Sequence, residues 1–370
     1  MKNTFGTSVA VTLFGESHGA AVGAVLDGMA PGVAVDEDFI ARQLKLRRPY
    51  GAISTGRVEA DRFQIVSGVF SGRTTGTPLT VLIPNEDTRS RDYAATRALA
   101  RPGHADYTAH VKYRGFEDYR GGGHFSGRVT AALVAVGAVA IAALRGRGIA
   151  VGTHIARCAG EFDRAFAANP ADELAALSAK RFAVLDEAAG ERMRRAIAAA
   201  AEAGDSVGGV LETAVTGLPA GVGEPWFDTL EGLLAHGLFS IPGVKGVDFG
   251  GAFDHTALRG SEYNDAFYMD GGAVRTRTNR NGGINGGISN GMPLLLRCAV
   301  KPTPSIFLQQ QTVDFLQGED AALQLNGRHD PAILHRARVV VDSVCALTLC
   351  DALAQRFGTD WLGGAPCAAD

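Results

Sequence analysis

The chain has 370 residues, 46% of them hydrophobic, and a formal net charge of −3. This size and composition predict a folded protein with a substantial core, and the small negative charge argues against a dedicated nucleic-acid binder. The five cysteines are scattered and form no CxxC pair, which argues against a disulfide framework or a zinc site. Since no secretory signal is recognisable, we expect a cytoplasmic protein.

The N-terminal quarter predicts strands around one helix. Residues 7–17 mix apolar and β-branched side chains and enter a glycine turn, which is typical of a strand. Acids at the start of 36–48 and cations at its end, followed by a proline, predict a helix. We also expect a strand over 20–35 with a Pro-Gly turn, and a hairpin over 63–85 broken at Gly72–Gly76.

A polar segment and an apolar segment occupy the middle of the chain. Residues 86–124 are rich in Arg, Gly and aromatic side chains with little periodicity, which is typical of an ordered loop that lines a site. Residues 129–144 carry no charge, and Ser126 can cap a helix running from about 127 to 146. A membrane span needs about 20 apolar residues, so we interpret this run as a buried core helix and expect no membrane partner.

The C-terminal half mixes helices and strands without a linker or a repeat. We expect two exposed helices within 161–205, a strand over 207–219, an amphipathic helix over 227–239 and a final helix over about 336–357. Strands that come in hairpin-like pairs favour an α+β fold over a doubly wound sheet. The sequence therefore predicts one α+β domain over residues 1–370.

Three glycine-rich turns carry histidine or arginine: GESHG at 15–19, RPGHAD at 101–106 and GRHDP at 327–331. Guanidinium groups bind phosphate or carboxylate through two parallel hydrogen bonds, and imidazoles exchange protons near neutral pH. Two groups of cations contain no acid: Arg42, Lys45, Arg47, Arg48 and Arg57, and separately Arg275, Arg277 and Arg280. Each of the two cationic groups could be a solvated face, and His18 could be a simple turn residue. The combination of these cations and histidines nevertheless indicates a site for a multiply charged anion.

Two further glycine-rich segments allow the backbone to approach a ligand. GGGHFSGR at 121–128 places three glycines before a helix start, where backbone amides can bind an anion. His124 within it is either an acid–base group or a space-filling side chain. GGINGGISNG at 282–291 would let flat backbone lie against a planar ligand, although tight turns alone also explain it. The Rossmann and Walker patterns are absent and no histidine shows metal-ligand spacing, so we expect no metal.

Taken together, these segments resemble the chorismate synthase family, and the resemblance covers most of the chain. The matching segments, in chain order, are FGESHG, LRRP (46–49), TTGTP (74–78), RSRDY (89–93), RPGHADYT (101–108), YRGGGHFSGR (119–128), GDSVGG (204–209), GEPWFD (223–228), GGINGGISNG, KPTPSI (301–306) and GRHDP. Any one of them can occur by chance, whereas their joint occurrence in this order identifies the family.

The resemblance implies a fold, a reaction and partners. The family fold is an α+β sandwich of antiparallel β-sheets around central helices, assembled as a homotetramer. Its members are lyases that convert 5-enolpyruvylshikimate 3-phosphate to chorismate and phosphate by a 1,4-anti elimination, the last step of the shikimate pathway. The reaction needs reduced FMN, and some members reduce the flavin with NADPH. The implied partner is therefore a small anionic substrate.

The resemblance also implies roles for individual residues. His18 and His104 would be acids, and Asp330 would help the flavin N5 take the C6 hydrogen. Arginines expected to bind substrate are Arg47, Arg48, Arg101 and Arg128, with Arg47 also an NADPH contact. Segments expected to contact FMN contain His124, Phe125, Ser126, Gly286, Lys301, Pro302, Thr303, Pro304, Ser305 and Arg328. The chain departs from many relatives at 124–126, where they have Arg-Ser-Ser, and just after LRRP, where the extra arginine of many relatives is absent and only Arg57 remains nearby.

Two other functions fit parts of the pattern. The histidines and arginines alone could serve a non-flavin phosphate lyase or phosphatase with a histidine acid and base and an arginine phosphate clamp. A non-catalytic anion-binding or nucleic-acid-binding protein is the third interpretation. Against it stand the slight acidity and an aromatic content of 7%, because single-strand binders need aromatic stacking platforms.

Overall fold

The computed structural model describes residues 2–51, 53–54, 60–86, 97–325 and 329–364. Arg57, Arg328 and the RSRDY segment at 89–93 lie outside these ranges. Within them the chain combines antiparallel sheets with helices, so the predicted α+β class is confirmed. Strands in the described residues are β1 Thr4–Phe5, β2 Ala10–Gly15, β3 Ala21–Asp27, β4 Gln64–Ser67, β5 Val69–Phe70, β6 Arg73–Thr74, β7 Leu79–Pro84, β8 Ala150–Cys158, β9 Glu161–Phe162, β10 Gly209–Thr216, β11 Val244–Phe249, β12 Phe267–Asp270, β13 Ala273–Thr276, β14 Ile284–Asn285, β15 Ile288–Ser289, β16 Leu294–Val300, β17 Gln310–Asp314 and β18 Glu319–Leu323.

Two five-stranded antiparallel sheets form the main layers. The first has the order β1-β2-β3-β7-β4 and the second the order β11-β16-β10-β8-β9. In β7 the side chains of Leu79, Val81 and Ile83 are buried while their neighbours are partly exposed, which is the period-two alternation of a strand with one face on the core. The pairs β5–β6, β12–β13, β14–β15 and β17–β18 are separate hairpins.

Helices lie between and around the sheets. Helices in the described residues are α1 Glu37–Arg47, α2 Asp106–Tyr113, α3 Thr130–Arg145, α4 Ala171–Leu177, α5 Glu187–Glu202, α6 Leu230–Phe239, α7 Ala252–His255, α8 Gly260–Tyr263 and α9 Leu334–Phe357. Short 3-10 turns cover Arg120–Phe125, Gly127–Val129, Trp226–Asp228 and Thr359–Leu362. The helices α3 and α9 pack on each other, α3 against the first sheet and α9 against the second, so these two helices form the centre of the sandwich.

The central helices cross closely. A Cβ added to Gly137 of α3 would stand 2.3 Å from the Cβ of Ser343 on α9, so only glycine permits this approach. By length and composition alone, Gly127–Arg145 could cross a membrane, yet 89% of its most apolar window is buried inside the protein. The predicted core helix is therefore confirmed, and the Ser126 side chain accepts a hydrogen bond from the amide of Arg128 as its expected cap.

Several predicted elements differ from the structure. The strand expected over 20–35 ends at Asp27, and the long loop expected over 86–124 contains α2. The strand β8 was missed altogether. Both of its faces are largely buried, with His154 and Thr153 among its inward side chains, so it lacks the alternation that marks a half-exposed strand.

Candidate active site

Three predicted substrate arginines converge on one buried carboxylate, Asp61. Arg47 Nη2 lies 3.0 Å and Arg48 Nε 3.6 Å from Asp61 Oδ2, and Arg128 Nη1 is paired with Asp61 Oδ1. These arginines come from the end of α1 and from the turn before α3. The Asp61 side chain is fully buried, the side chains of Arg47 and Arg128 are almost so, and the Arg48 side chain remains 32% exposed. Arg48 is therefore the member of this group that can reach a ligand most directly.

Charge compensation keeps this cluster ionised. Burial alone would raise the pKa of Asp61, but the positive charges of Arg47 and Arg128 outweigh burial and hold that pKa below its ordinary value. Burial lowers the pKa of Arg47 to about 10, with Asp61 opposing the change. Both groups are consequently charged at neutral pH. A buried carboxylate among guanidinium groups is the arrangement that offsets the large cost of burying each charge alone.

His18 lies in the turn between β2 and β3, and the predicted FMN segment at 121–125 packs against that turn. Nδ1 of His124 donates to the Gly15 carbonyl at 2.8 Å, and the amide of Ser17 donates to the Gly123 carbonyl at 3.0 Å. A Cβ added to Gly121 would stand 2.3 Å from the His18 ring. Gly121 of the predicted anion loop therefore makes room for the His18 imidazole.

A second group surrounds His104. Nδ1 of His104 donates to the Pro102 carbonyl at 3.2 Å, which leaves Nε2 to accept from the Ser305 hydroxyl at 2.8 Å. Arg101 forms a two-pronged pair with Asp106 at 2.8 and 2.7 Å. Burial, followed by the charge of Arg101, lowers the pKa of His104 to about 4, so the imidazole is neutral at pH 7. Asp106 therefore binds the arginine and does not orient the histidine.

Asp330 joins the arginine cluster through Arg336, a residue of α9. Arg336 Nη1 donates to Asp330 Oδ2 at 2.5 Å, and Arg336 Nε donates to the Arg47 carbonyl at 2.9 Å. Asp330 and Ser305 also line one cavity of about 110 Å³. Its full lining is Ser54, Ala201, Asp205, Ser305, Ile306, Phe307, His329, Asp330 and Pro331. The cavity thus connects the His104 group with the Asp330 group.

The segment 301–305 forms one wall of this region. Lys301 Nζ donates to the Gly103 carbonyl at 2.5 Å, and a Cβ on Gly103 would meet Pro304 at 2.8 Å, so the segment packs on the turn before His104. The carbonyl of Thr303 accepts from the Ser206 hydroxyl at 2.6 Å. Pro302 lies between Lys301 and Thr303 in the same stretch, which joins β16 to the rest of the site.

Two predicted flavin contacts stand apart from this arrangement. The Phe125 side chain is 43% exposed and lies edge-on to Tyr113. Gly286 is in the tight turn between β14 and β15, and the adjacent Gly287 packs on Thr229 and the carbonyl of Glu224. Gly286 is therefore held in a hairpin that packs on the segment before α6.

Three residues of the site were not predicted from the sequence: Asp61, Asn85 and Arg336. Asn85 follows β7 directly and accepts from Arg128 Nε at 2.9 Å. The signal for Asp61 is the cationic, acid-free stretch before it, since buried cations need a counter-charge nearby. Nothing local distinguishes Asn85 or Arg336 from an ordinary surface residue. Among the described residues, no group of three or more His, Cys, Asp or Glu side chains could hold a metal ion.

Comparison with known proteins shows the family of this chain. The family model described as chorismate synthase matches residues 9–354. Chorismate synthase of Thermococcus kodakarensis is 45% identical over 351 residues, covering 95% of this chain and 97% of that protein. The chorismate synthase of Archaeoglobus fulgidus is 46% identical over 351 residues, with the same coverage. A solved structure titled "Crystal Structure of Chorismate Synthase" superimposes with a TM-score of 0.76 at 28% identity, covering 96% of this chain and 94% of the other.

These matches, together with the shared fold, show an enzyme of the lyase class. More particularly, the chain belongs to the chorismate synthase family, whose shikimate-pathway activity is chorismate formation.

Proposed function

We propose that this chain converts 5-enolpyruvylshikimate 3-phosphate to chorismate and phosphate by a 1,4-anti elimination that requires reduced FMN. The observation that carries the proposal is one cavity lined by Ser305, which is hydrogen-bonded to His104, and by Asp330, which Arg336 joins to the arginine cluster. This combination brings proton-exchanging groups and cations into one connected region, which an anionic substrate that loses phosphate needs.

The residues around the cavity fit a flavin nucleotide chemically. Thr303 Oγ1 and His329 Nε2 are buried polar atoms with no hydrogen-bond partner among the described residues, so a ligand that hydrogen-bonds them would relieve a desolvation cost. Lys301 in the same segment offers a cation for a phosphate. The volume of about 110 Å³ is below the roughly 300–1,000 Å³ of whole ligand pockets, so the cavity encloses only part of a nucleotide.

The bound flavin would supply the electron density that loss of phosphate from an unactivated ring requires. Our proposed flavin contacts are His124, Phe125, Ser126, Gly286, the segment 301–305 and Arg328. Arg48 and Arg101 would hold the substrate anions, and the buried guanidinium groups of Arg47 and Arg128 would add positive potential behind them.

Protons would be handled by His18, His104 and Asp330. Because the pKa of His104 is about 4 without ligand, this residue donates a proton only after bound phosphate and carboxylates raise that pKa. The Ser305 hydroxyl, which donates to Nε2, fixes the ring for this task. Asp330 is held by Arg336 at the cavity wall, where its carboxylate would assist removal of the C6 hydrogen.

Several finer assignments belong to the same proposal. We propose a cytoplasmic homotetramer of single-domain subunits, and NADPH as the reductant, contacting Arg47. The hairpin β12–β13 supports self-association because it exposes large apolar side chains: Phe267 at 61%, Met269 at 67% and Val274 at 55%. Sedimentation equilibrium at several protein concentrations tests the tetramer.

An anaerobic assay tests the reaction itself. The protein is mixed with substrate and dithionite-reduced FMN, and both chorismate and phosphate are measured. We expect equal amounts of the two products, no net consumption of reduced FMN, and no product with oxidised FMN or without flavin. Phosphate release that does not depend on flavin would contradict the proposal and would favour a non-flavin phosphate lyase or phosphatase.

A further inference from the structure

The Asn85 side chain fastens the turn that carries His18. Its Nδ2 donates to the carbonyl of Glu16 and to the carbonyl of Gly19, each at 2.9 Å. These two carbonyls lie on either side of His18 in the chain. The backbone amide of Asn85 also donates to the carbonyl of Ala20 at 3.1 Å, so Asn85 is hydrogen-bonded to both ends of the turn.

The other face of the same amide is fixed by the arginine cluster. Asn85 Oδ1 accepts from Arg128 Nε at 2.9 Å, while Arg128 is paired with buried Asp61 and donates to the Pro84 carbonyl at 3.1 Å. Only one orientation of the amide places its acceptor against the guanidinium and both of its donors against carbonyls. All three of these hydrogen bonds therefore act together to fix one side-chain position.

The turn needs an external support because its own backbone is permissive. It is bounded by Gly15 and Gly19, and glycine leaves φ and ψ unrestricted. Within the turn, the amide of Gly19 donates to the carbonyl of Glu16 at 3.1 Å. Among the described residues, further hydrogen bonds to the turn come from Gly123, His124 and Asn85, and Asn85 links the turn to the buried charges.

We propose that Asn85 is a positioning residue, which transmits the fixed position of Arg128 to the 15–19 turn and thereby sets where the His18 imidazole stands. The inference that this matters for turnover rests on the proposed role of His18 in the reaction. The inference that Asn85 fixes the turn does not rest on that role, because it follows from the hydrogen bonds alone.

Hydrogen exchange tests the hold on the turn. Asn85→Asp keeps an acceptor for Arg128 but has no N–H to donate, so both carbonyl bonds are lost. We expect the amides of Ser17 and Gly19 to exchange roughly 10- to 100-fold faster, the range for losing two ordinary hydrogen bonds, with α3 unchanged. Asn264→Asp, at an exposed position after α8, makes the same charge change and should leave these amides unaffected. Unchanged protection of the turn in Asn85→Asp would overturn the proposal.

A double-mutant cycle tests the consequence for turnover. Asn85→Asp should lower kcat by roughly 10- to 100-fold, the scale for a catalytic group moved by about 1 Å, and should have no further effect in a His18→Ala background. A purely structural role predicts the same fractional loss in both backgrounds, which would refute positioning. Asn85→Ala, which places no charge beside the two carbonyls, is the second variant if Asn85→Asp does not fold. Wild-type turnover in His18→Ala together with faster exchange in Asn85→Asp would remove His18 from the reaction and leave the hold of Asn85 on the turn established.

Discussion

Acid should destabilise this protein through His335, a buried histidine at the start of α9. Its Nε2 lies 2.6 Å from the Ser54 hydroxyl, and its ring stacks on Phe182 at a centroid distance of 6.3 Å and meets Tyr50 edge-on at 5.4 Å. Burial, followed by the charge of Arg336, lowers the pKa of His335 to about 3. The folded state therefore excludes a proton that the unfolded chain accepts.

The sign and size of the effect follow from this pKa. Because the folded pKa is below the unfolded value of about 6.5, stability is fully present above pH 6.5 and is lost as the pH falls toward 3. At pH 5 the unfolded histidine is almost fully protonated and the folded one is not, which corresponds to a loss of about 2 kcal/mol relative to pH 8. Below pH 3 the loss from this one group reaches about 5 kcal/mol.

Urea unfolding at pH 8 and pH 5 measures this loss. His335→Gln removes the titrating group, so the difference in unfolding free energy between the two pH values should shrink by about 2 kcal/mol relative to wild type, even if the variant is less stable at pH 8. His236→Gln, at an exposed position of α6, should leave the difference as in wild type. If His335→Gln and wild type lose the same free energy between pH 8 and pH 5, burial of a neutral His335 does not control acid stability.

Three other changes test the site. His104→Ala should lower turnover roughly 10- to 1,000-fold with normal urea stability at pH 8, since an acid–base group is lost; a wild-type rate would remove it from the mechanism. Gly121→Ala should lower turnover because its Cβ would stand 2.3 Å from the His18 ring, whereas Gly260→Ala, at the start of α8, meets no atom within 4 Å and should be neutral by the same assay. Asp330→Asn should retain FMN in a titration while slowing turnover and enlarging the isotope effect for C6-deuterated substrate; lost stability with normal turnover per folded molecule would mean that it only caps its turn.

The sequence by itself determined the class of fold and the family, and it predicted the segments of the site. The uncharged run at 129–144 requires burial, and the glycine-flanked motifs mark where the chain turns around charged side chains. These are local properties, because hydrophobic periodicity and glycine turns depend on residues that are neighbours along the chain. Motif order along the chain was enough to predict the family to which the comparisons assign it.

Tertiary structure alone decided how the charged groups pair and which of them are neutral. Asp61 is separated from Arg47 by 14 residues and from Arg128 by 67, so no local pattern predicts that they share one buried site. The strand β8 escaped prediction because burial of both faces erases its periodicity. The pKa of His104 depends on desolvation and on the charge of Arg101, and both arise only when distant segments pack together. Electrostatic energies depend on distance and burial in three dimensions, whereas periodicity depends on order along the chain.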